Sequence, residues 1–136
     1  MSIGIVAEDG REYYAVSRDF DATRASDWVV RNVLRKLPPE SDPRWKPLRT
    51  IRDEVFAFLT ADSSTPHLWA WVGGYDHVLF AQMWGDMSAY PRELPHFTHE
   101  LKQYWEMAGR PKLPRVPKGS HDALVDARHN LSLIHI

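Results

Sequence analysis

Leu68-Trp69-Ala70-Trp71-Val72-Gly73-Gly74-Tyr75-Asp76 is the stretch whose reading fixes the fold class. Its first five residues are apolar without alternation, the pattern of a strand buried on both faces inside a mixed or parallel sheet. Gly73-Gly74 breaks that strand. From Asp76 onward the chain reads as a helix, with Val78, Leu79, Met83 and Trp84 as its apolar set. Upstream, Ile3–Ala7 and Glu12–Ser17 are strand-forming segments around Asp9-Gly10, a strong hairpin signal. Trp28, Val29, Val33 and Leu37 recur at helical spacing over Arg24–Leu37, with Asp21 or Thr23 as cap and Pro38-Pro39 as terminator. Leu48–Leu59 carries Ile51, Val55, Phe58 and Leu59 on one helical face, and Asp62–Pro66 is a loop. Thr98–Ala108 reads as another helix, stopped by Gly109. A proline-rich basic loop follows over Arg110–Gly119. Ser120 is the expected cap of a last helix whose buried stripe is Leu124, Ala127 and Leu131. Strands interleaved with helices predict a mixed α/β domain.

The 136 residues suffice for one domain with a modest core. Apolar residues at 43% and charged residues at 26% exclude a disordered chain. Seventeen Lys and Arg against 18 Asp and Glu give a net charge of -1, which excludes nucleic-acid binding through bulk charge but leaves room for a local basic strip. The absence of cysteine removes disulfides, thiol nucleophiles, zinc–thiolate sites and iron–sulfur clusters. No apolar run is long enough to span a bilayer and no basic-then-apolar leader opens the chain, so a cytoplasmic protein without a membrane partner is expected. Both ends are unusual. The chain starts inside a strand, and Leu131-Ser132-Leu133-Ile134-His135-Ile136 is an apolar tail similar to the translation of a common sequencing adapter. The expectation is a native domain over residues 1–130, cut at both ends, with 131–136 as a non-native tail.

Two places can carry chemistry. Asp76 follows an apolar strand and two glycines, at the carboxyl end of the strand, where open α/β sheets hold ligands. A cap on the following helix is its competing structural role. The second place is His121-Asp122-Ala123-Leu124-Val125-Asp126-Ala127. Asp122 suits the first helical turn for electrostatic reasons alone. Asp126, one turn on, flanks the inward Leu124/Ala127 face, where a carboxylate is costly unless a cation or hydrogen bonds offset its desolvation. His121 precedes the helix and can reach a site that Asp126 helps to build. His96 and His99 have i, i+3 spacing but no evident third ligand. The His121-Asp122 pair alone fits a histidine–aspartate phosphohydrolase poorly, because that chemistry needs further spaced histidines on helices.

The Trp69-Ala70-Trp71-Val72-Gly73-Gly74-Tyr75-Asp76-His77 block, followed by His121-x4-Asp126, resembles the DEDDh 3′→5′ exonucleases of the RNase H-like superfamily. The nearest likeness is to the actinobacterial polyadenylate-specific 3′-exoribonucleases, and Ser2–Val16 resembles the second and third strands of that group. The resemblance implies an RNase H-like mixed sheet flanked by helices. It implies Asp76 and Asp126 as ligands of two Mg²⁺ or Mn²⁺ ions and His121 as general base. Gly73 and Tyr75 become candidates for lining the nucleotide pocket. Single-stranded RNA is the implied partner, cut from its 3′ end to 5′-monophosphates, and the resemblance allows a homodimer. The family's Asp-x-Glu motif, carried on the central strand, occurs nowhere in this chain. Half of the expected metal ligands are therefore missing, together with that strand. The expected consequence is a strand-wide gap between the Ile3–Ser17 hairpin and the Leu68–Val72 strand. A non-catalytic nucleic-acid-binding or assembly module of the same fold is the alternative.

Overall fold

The hairpin forms where Asp9-Gly10 predicts it. The computed structural model describes residues 1–62 and 64–135, and in it β1 (Ser2–Val6) pairs antiparallel with β2 (Glu12–Ser17) from Ser2↔Val16 to Val6↔Glu12. A two-residue strand, β3 (Trp45–Lys46), adds in parallel to the far edge of β2. It is too short for any periodicity and follows a proline-rich loop, so it left no signal in the sequence. Alternation sets the two faces of this sheet. Ile3, Ile5, Tyr13 and Ala15 face α2 (Leu48–Leu59), whose Ile51 and Val55 are buried against them. The opposite face carries Ser2, Gly4, Tyr14 and Val16 and lies under α5 (Ala123–Ile134), tied down by Arg128 on Glu12 at 2.6 and 2.7 Å.

The expected Arg24–Leu37 helix is broken into three pieces. A 3-10 turn spans Ala22–Arg24 with Asp21 as its cap, α1 covers only Asp27–Asn32 with Ser26 as its cap, and a second 3-10 turn spans Leu34–Lys36. Val29, Val30, Asn32 and Val33 are weak helix formers, and the Asn32 amide bonds back to the Trp28 carbonyl at 2.8 Å. The last helix is capped by Asp122, not Ser120: one Asp122 oxygen accepts from the N–H groups of Leu124 and Val125, each at 3.0 Å. That helix includes Leu131–Ile134 of the tail, and Leu133 is its buried residue.

The Leu68–Val72 segment departs furthest from expectation. Only Trp69–Ala70 forms a strand, β4, which pairs in parallel with β5 (His99–Glu100), and both are half-buried. Residues 99–100, expected to be helical, are drawn into the ladder by the His99 N–H donating to the Leu68 carbonyl at 2.7 Å. The helix behind them, α4, therefore starts at Leu101 and ends at Met107. β4 is only half-buried, so it is not a strand covered on both faces. Among the described residues the sheets β1-β2-β3 and β4-β5 share no ladder. α5 contacts both β1 and β4, and α3 (Gly74–Gln82) sends Phe80 into the core beside Ala15 of the first sheet. A mixed α/β architecture is observed, in two small sheets. Among the described residues no helix is long and apolar enough to cross a membrane.

Candidate active site

Between the two sheets lies a cleft of about 1120 Å³. One wall is β1 along Ser2–Val6; the other is Leu68–Ala70. The Ser17 N–H donates to the Met1 carbonyl at 2.8 Å and the Ala7 N–H to the Arg11 carbonyl at 2.9 Å, so the odd-numbered residues of β1 pair with β2. The backbone groups of Ser2, Gly4 and Val6 consequently point the other way, into the cleft. Asp76, His121 and Asp126 line this same cleft.

Gly4 brings the second motif there. A methyl group on Gly4 would sit 2.4 Å from the carbonyl carbon and oxygen of Ala123, so only glycine lets the start of α5 rest on β1. Asp122 is spent on the helix cap and does not line the cleft. Asp126, one turn later, reaches back so that both its oxygens accept from the His121 N–H, at 3.0 and 3.2 Å. That bond holds His121 at φ +69°, a left-handed conformation in which a non-glycine residue stores strain. The His121 ring meets the Trp28 ring edge-on, with centroids 5.1 Å apart. Carboxylate oxygens have lone pairs to spare beyond one N–H, so Asp126 keeps acceptor capacity toward the cleft.

Asp76 sits in the first turn of α3, where the helix dipole favours a carboxylate. Partial desolvation nevertheless pushes its carboxyl above the ordinary aspartate range, against a bond from its own backbone N–H, and the charge of Glu100 adds to the rise. Glu100 carried no sequence signal. Its carboxylate accepts from the N–H groups of Val72 and Gly73, each at 2.8 Å, and from Lys102 at 3.0 Å. It thereby clamps a turn in which Val72 adopts φ +56°, strained for a β-branched residue. Gly73 is buried in that turn, where an added methyl would press on Thr98 and Ala70 at 3.1 and 3.2 Å. Tyr75 is 79% exposed on the outer side of α3. Neither lines the cleft, so the nucleotide-pocket candidates are not brought together with Asp76, His121 and Asp126. His99 pairs with His67 and Trp69, away from His96, which packs on Tyr90. Among the described residues no group of three His, Asp or Glu side chains could hold a metal ion.

Two 3′-5′ exoribonucleases of Mycobacterium tuberculosis, from strains CDC 1551 and H37Rv, are each 53% identical to the chain over 132 residues, which is 96% of this chain and 79% of theirs. The chain belongs to this 3′-5′ exoribonuclease family. A scan of protein-family models finds no match. The likeness spans nearly the whole chain, so it draws on both sheets and both motif segments rather than on one short block. Membership decides between the enzyme and the non-catalytic module in favour of an enzyme family.

Proposed function

We propose that the chain is the greater part of a metal-dependent, cytoplasmic 3′→5′ exoribonuclease of the DEDDh type with an RNase H-like fold, which trims single-stranded, polyadenylate-like RNA to 5′-monophosphates. The observation that carries this reading is the convergence of Asp76, His121 and Asp126 on one cleft. Asp76 and Asp126 offer the hard oxygen ligands that Mg²⁺ or Mn²⁺ prefers. Two carboxylates are half a cage, however, and they fit a metal pair only with further ligands beside them. With further carboxylates beside them, Asp76 and Asp126 would hold such ions, which would supply Lewis acidity toward the attacking water and the departing 3′-oxygen. His121 carries an imidazole at the cleft and is the group on this chain suited to take that water's proton. Among the described residues the outer edges of β1 and β4 have no ladder partner, which suits a strand carrying Asp-x-Glu between them.

On this reading the 136 residues alone bind Mg²⁺ weakly and have no appreciable exonuclease activity, because the repulsion between two aspartates goes uncompensated. The test adds an upstream strand bearing Asp-x-Glu and follows release of 5′-monophosphates from a labelled oligoadenylate with Mg²⁺ or Mn²⁺. The extended chain should trim 3′ ends, and Asp126→Ala or His121→Ala should abolish trimming. Robust release by the unextended chain would show the ligands to be misassigned. RNA binding without trimming by the extended chain would favour the non-catalytic module.

A further inference from the structure

We infer that the arm formed by α1 and the 3-10 turn after it is an RNA-binding wall beside His121, with Arg31 and Arg35 on backbone phosphates and Trp28 stacking a nucleobase. The inference rests on the exoribonuclease reading for the nature of the nucleic acid. The arm borders the cleft: Val33 lines it together with Asp76 and Asp126. Two contacts join the arm to the loop before α5, the edge-on meeting of Trp28 with His121 and a hydrogen bond from the Lys36 ammonium to the Ser120 carbonyl. The basic Arg110–Gly119 loop leads directly into that junction.

Charge makes this a surface for phosphate. Arg31, Arg35 and Lys36 on the arm are exposed, as are Lys112, Arg115 and Lys118 on the loop. Among the described residues none of the six forms an ion pair, and the same holds for Arg18, Arg24, Arg49, Arg92 and Lys102, whereas Arg11, Arg44, Lys46, Arg52, Arg110 and Arg128 are paired. What sets the six apart is their grouping on two adjoining segments. Asp27, one helical turn before Arg31, is not paired with it either. A protein of net charge -1 thus keeps a group of uncompensated cations on two adjoining segments next to His121. Counterions released from phosphates, rather than neighbouring carboxylates, are what such cations exchange for. Trp28 is 51% exposed although it is one of the largest side chains available for burial. An exposed indole between cations offers the stacking surface that single-stranded nucleic acid uses without regard to base identity. Duplex offers no unstacked base to it.

The test measures binding of fluorescein-labelled oligoadenylate to the 136-residue chain by anisotropy, in EDTA and over a range of salt, so that no cleavage intervenes. Each phosphate contact on a single strand adds about 0.7 to the slope of log K against log salt. Arg31→Gln/Arg35→Gln should therefore lower that slope by about 1.4, and Lys112→Gln/Arg115→Gln should lower it similarly. Trp28→Leu should weaken binding roughly tenfold with the slope unchanged, which a purely electrostatic role would not do. Circular dichroism confirms that each variant is folded, and Arg35→Glu, at an exposed position, provides a second charge variant should the double one misfold. An unchanged slope and affinity in folded arm variants would overturn the inference, as would absence of oligoadenylate binding by the parent chain at low salt. Equal competition by duplex DNA, with no effect of Trp28→Leu, would overturn it as well. The trimming assay on the extended chain judges the exoribonuclease reading separately, since it does not depend on where the arm lies.

Discussion

The β1–β2 hairpin runs through five residue pairs, from Ser2↔Val16 to Val6↔Glu12, whereas β4 and β5 share only Trp69↔His99 and Ala70↔Glu100. Helices cover both faces of the first sheet, and its members Ala15 and Val16 are fully buried. The second sheet is held by side chains instead. Trp69 stacks on His99 with centroids 4.5 Å apart, Tyr104 meets Trp69 edge-on at 5.6 Å, and the Glu100 carboxylate fastens the turn at Val72 and Gly73. Backbone pairing and burial make the first sheet a platform, while the second concentrates strain and an uncomfortable carboxylate at Asp76. Strain of this kind persists only where surrounding bonds over-determine it, and functional sites are where it collects.

The platform should break most severely at Gly4. Gly4→Val places side-chain atoms inside the backbone of Ala123, so α5 must lift from β1. The cost should be about 3 kcal/mol, at the upper end for overpacking because backbone cannot give way as a side chain does. Urea denaturation reads it as a fall in midpoint, and an unchanged midpoint would mean that α5 does not rest on β1. The second sheet should break less at its clamp. Glu100→Ala removes a charged acceptor from two N–H groups of a strained turn and should cost about 2 kcal/mol. Glu100→Gln, which keeps one acceptor oxygen, should cost about half as much. Equal losses for the two variants would show that the carboxylate is not acting through those two bonds.

The same contrast explains what the sequence revealed. Asp9-Gly10 and the alternating strands announce the hairpin because turn chemistry and period 2 are local, and the Leu48–Leu59 helix is legible from the spacing of Ile51 and Val55 alone. His121, Asp126 and Asp76 were found as a motif, and their shared cleft follows from the packing of α5 on β1. Glu100 was invisible. It sits in a segment whose apolar spacing reads as helix, and its role depends on a turn nearly thirty residues earlier. Trp69 and Trp71 suggest a doubly buried strand because an apolar run does not report how much of each face its neighbours cover. Ser120 yielded the cap to Asp122 because the two residues are equally good caps by type, and only the backbone decides which N–H groups lie in reach.

Asp76 gives a smaller effect with a sign set by pH. Its carboxyl is raised in the folded chain, mainly by desolvation, so the folded state holds the proton more tightly than the unfolded state does. Above the folded value both states are ionised and the folded state carries the whole penalty. Below the ordinary aspartate value of about 4, both are protonated and the penalty vanishes. Asp76→Asn should therefore raise the melting temperature at pH 7, with the gain shrinking as pH falls toward that value. A gain that persists unchanged in acid would assign the effect to something other than the charge.

Val72 tests the comparison at its finest grain, because the same substitution should act with opposite sign in the turn after β4 and in the first sheet. At φ +56° a β-branched side chain is strained by roughly 1–2 kcal/mol, a cost that glycine does not bear. Val72 is 43% exposed, so trimming its side chain forfeits little burial. Against the relief stands the greater freedom of glycine in the unfolded chain, worth about 0.5–1 kcal/mol. Val72→Gly should thus stabilise the protein by a few tenths of a kcal/mol to about 1 kcal/mol. At Val16, fully buried and flanked by β1 and β3 on the central strand of the first sheet, the same change should be strongly destabilising, through the cavity it opens and the slack it adds to a strand. If Val72→Gly also destabilised the chain, the turn before Asp76 would be drawing support from the Val72 side chain rather than straining against it. The Glu100 clamp would then be holding a conformation the turn already prefers, and Glu100→Ala should cost correspondingly less than its two bonds suggest.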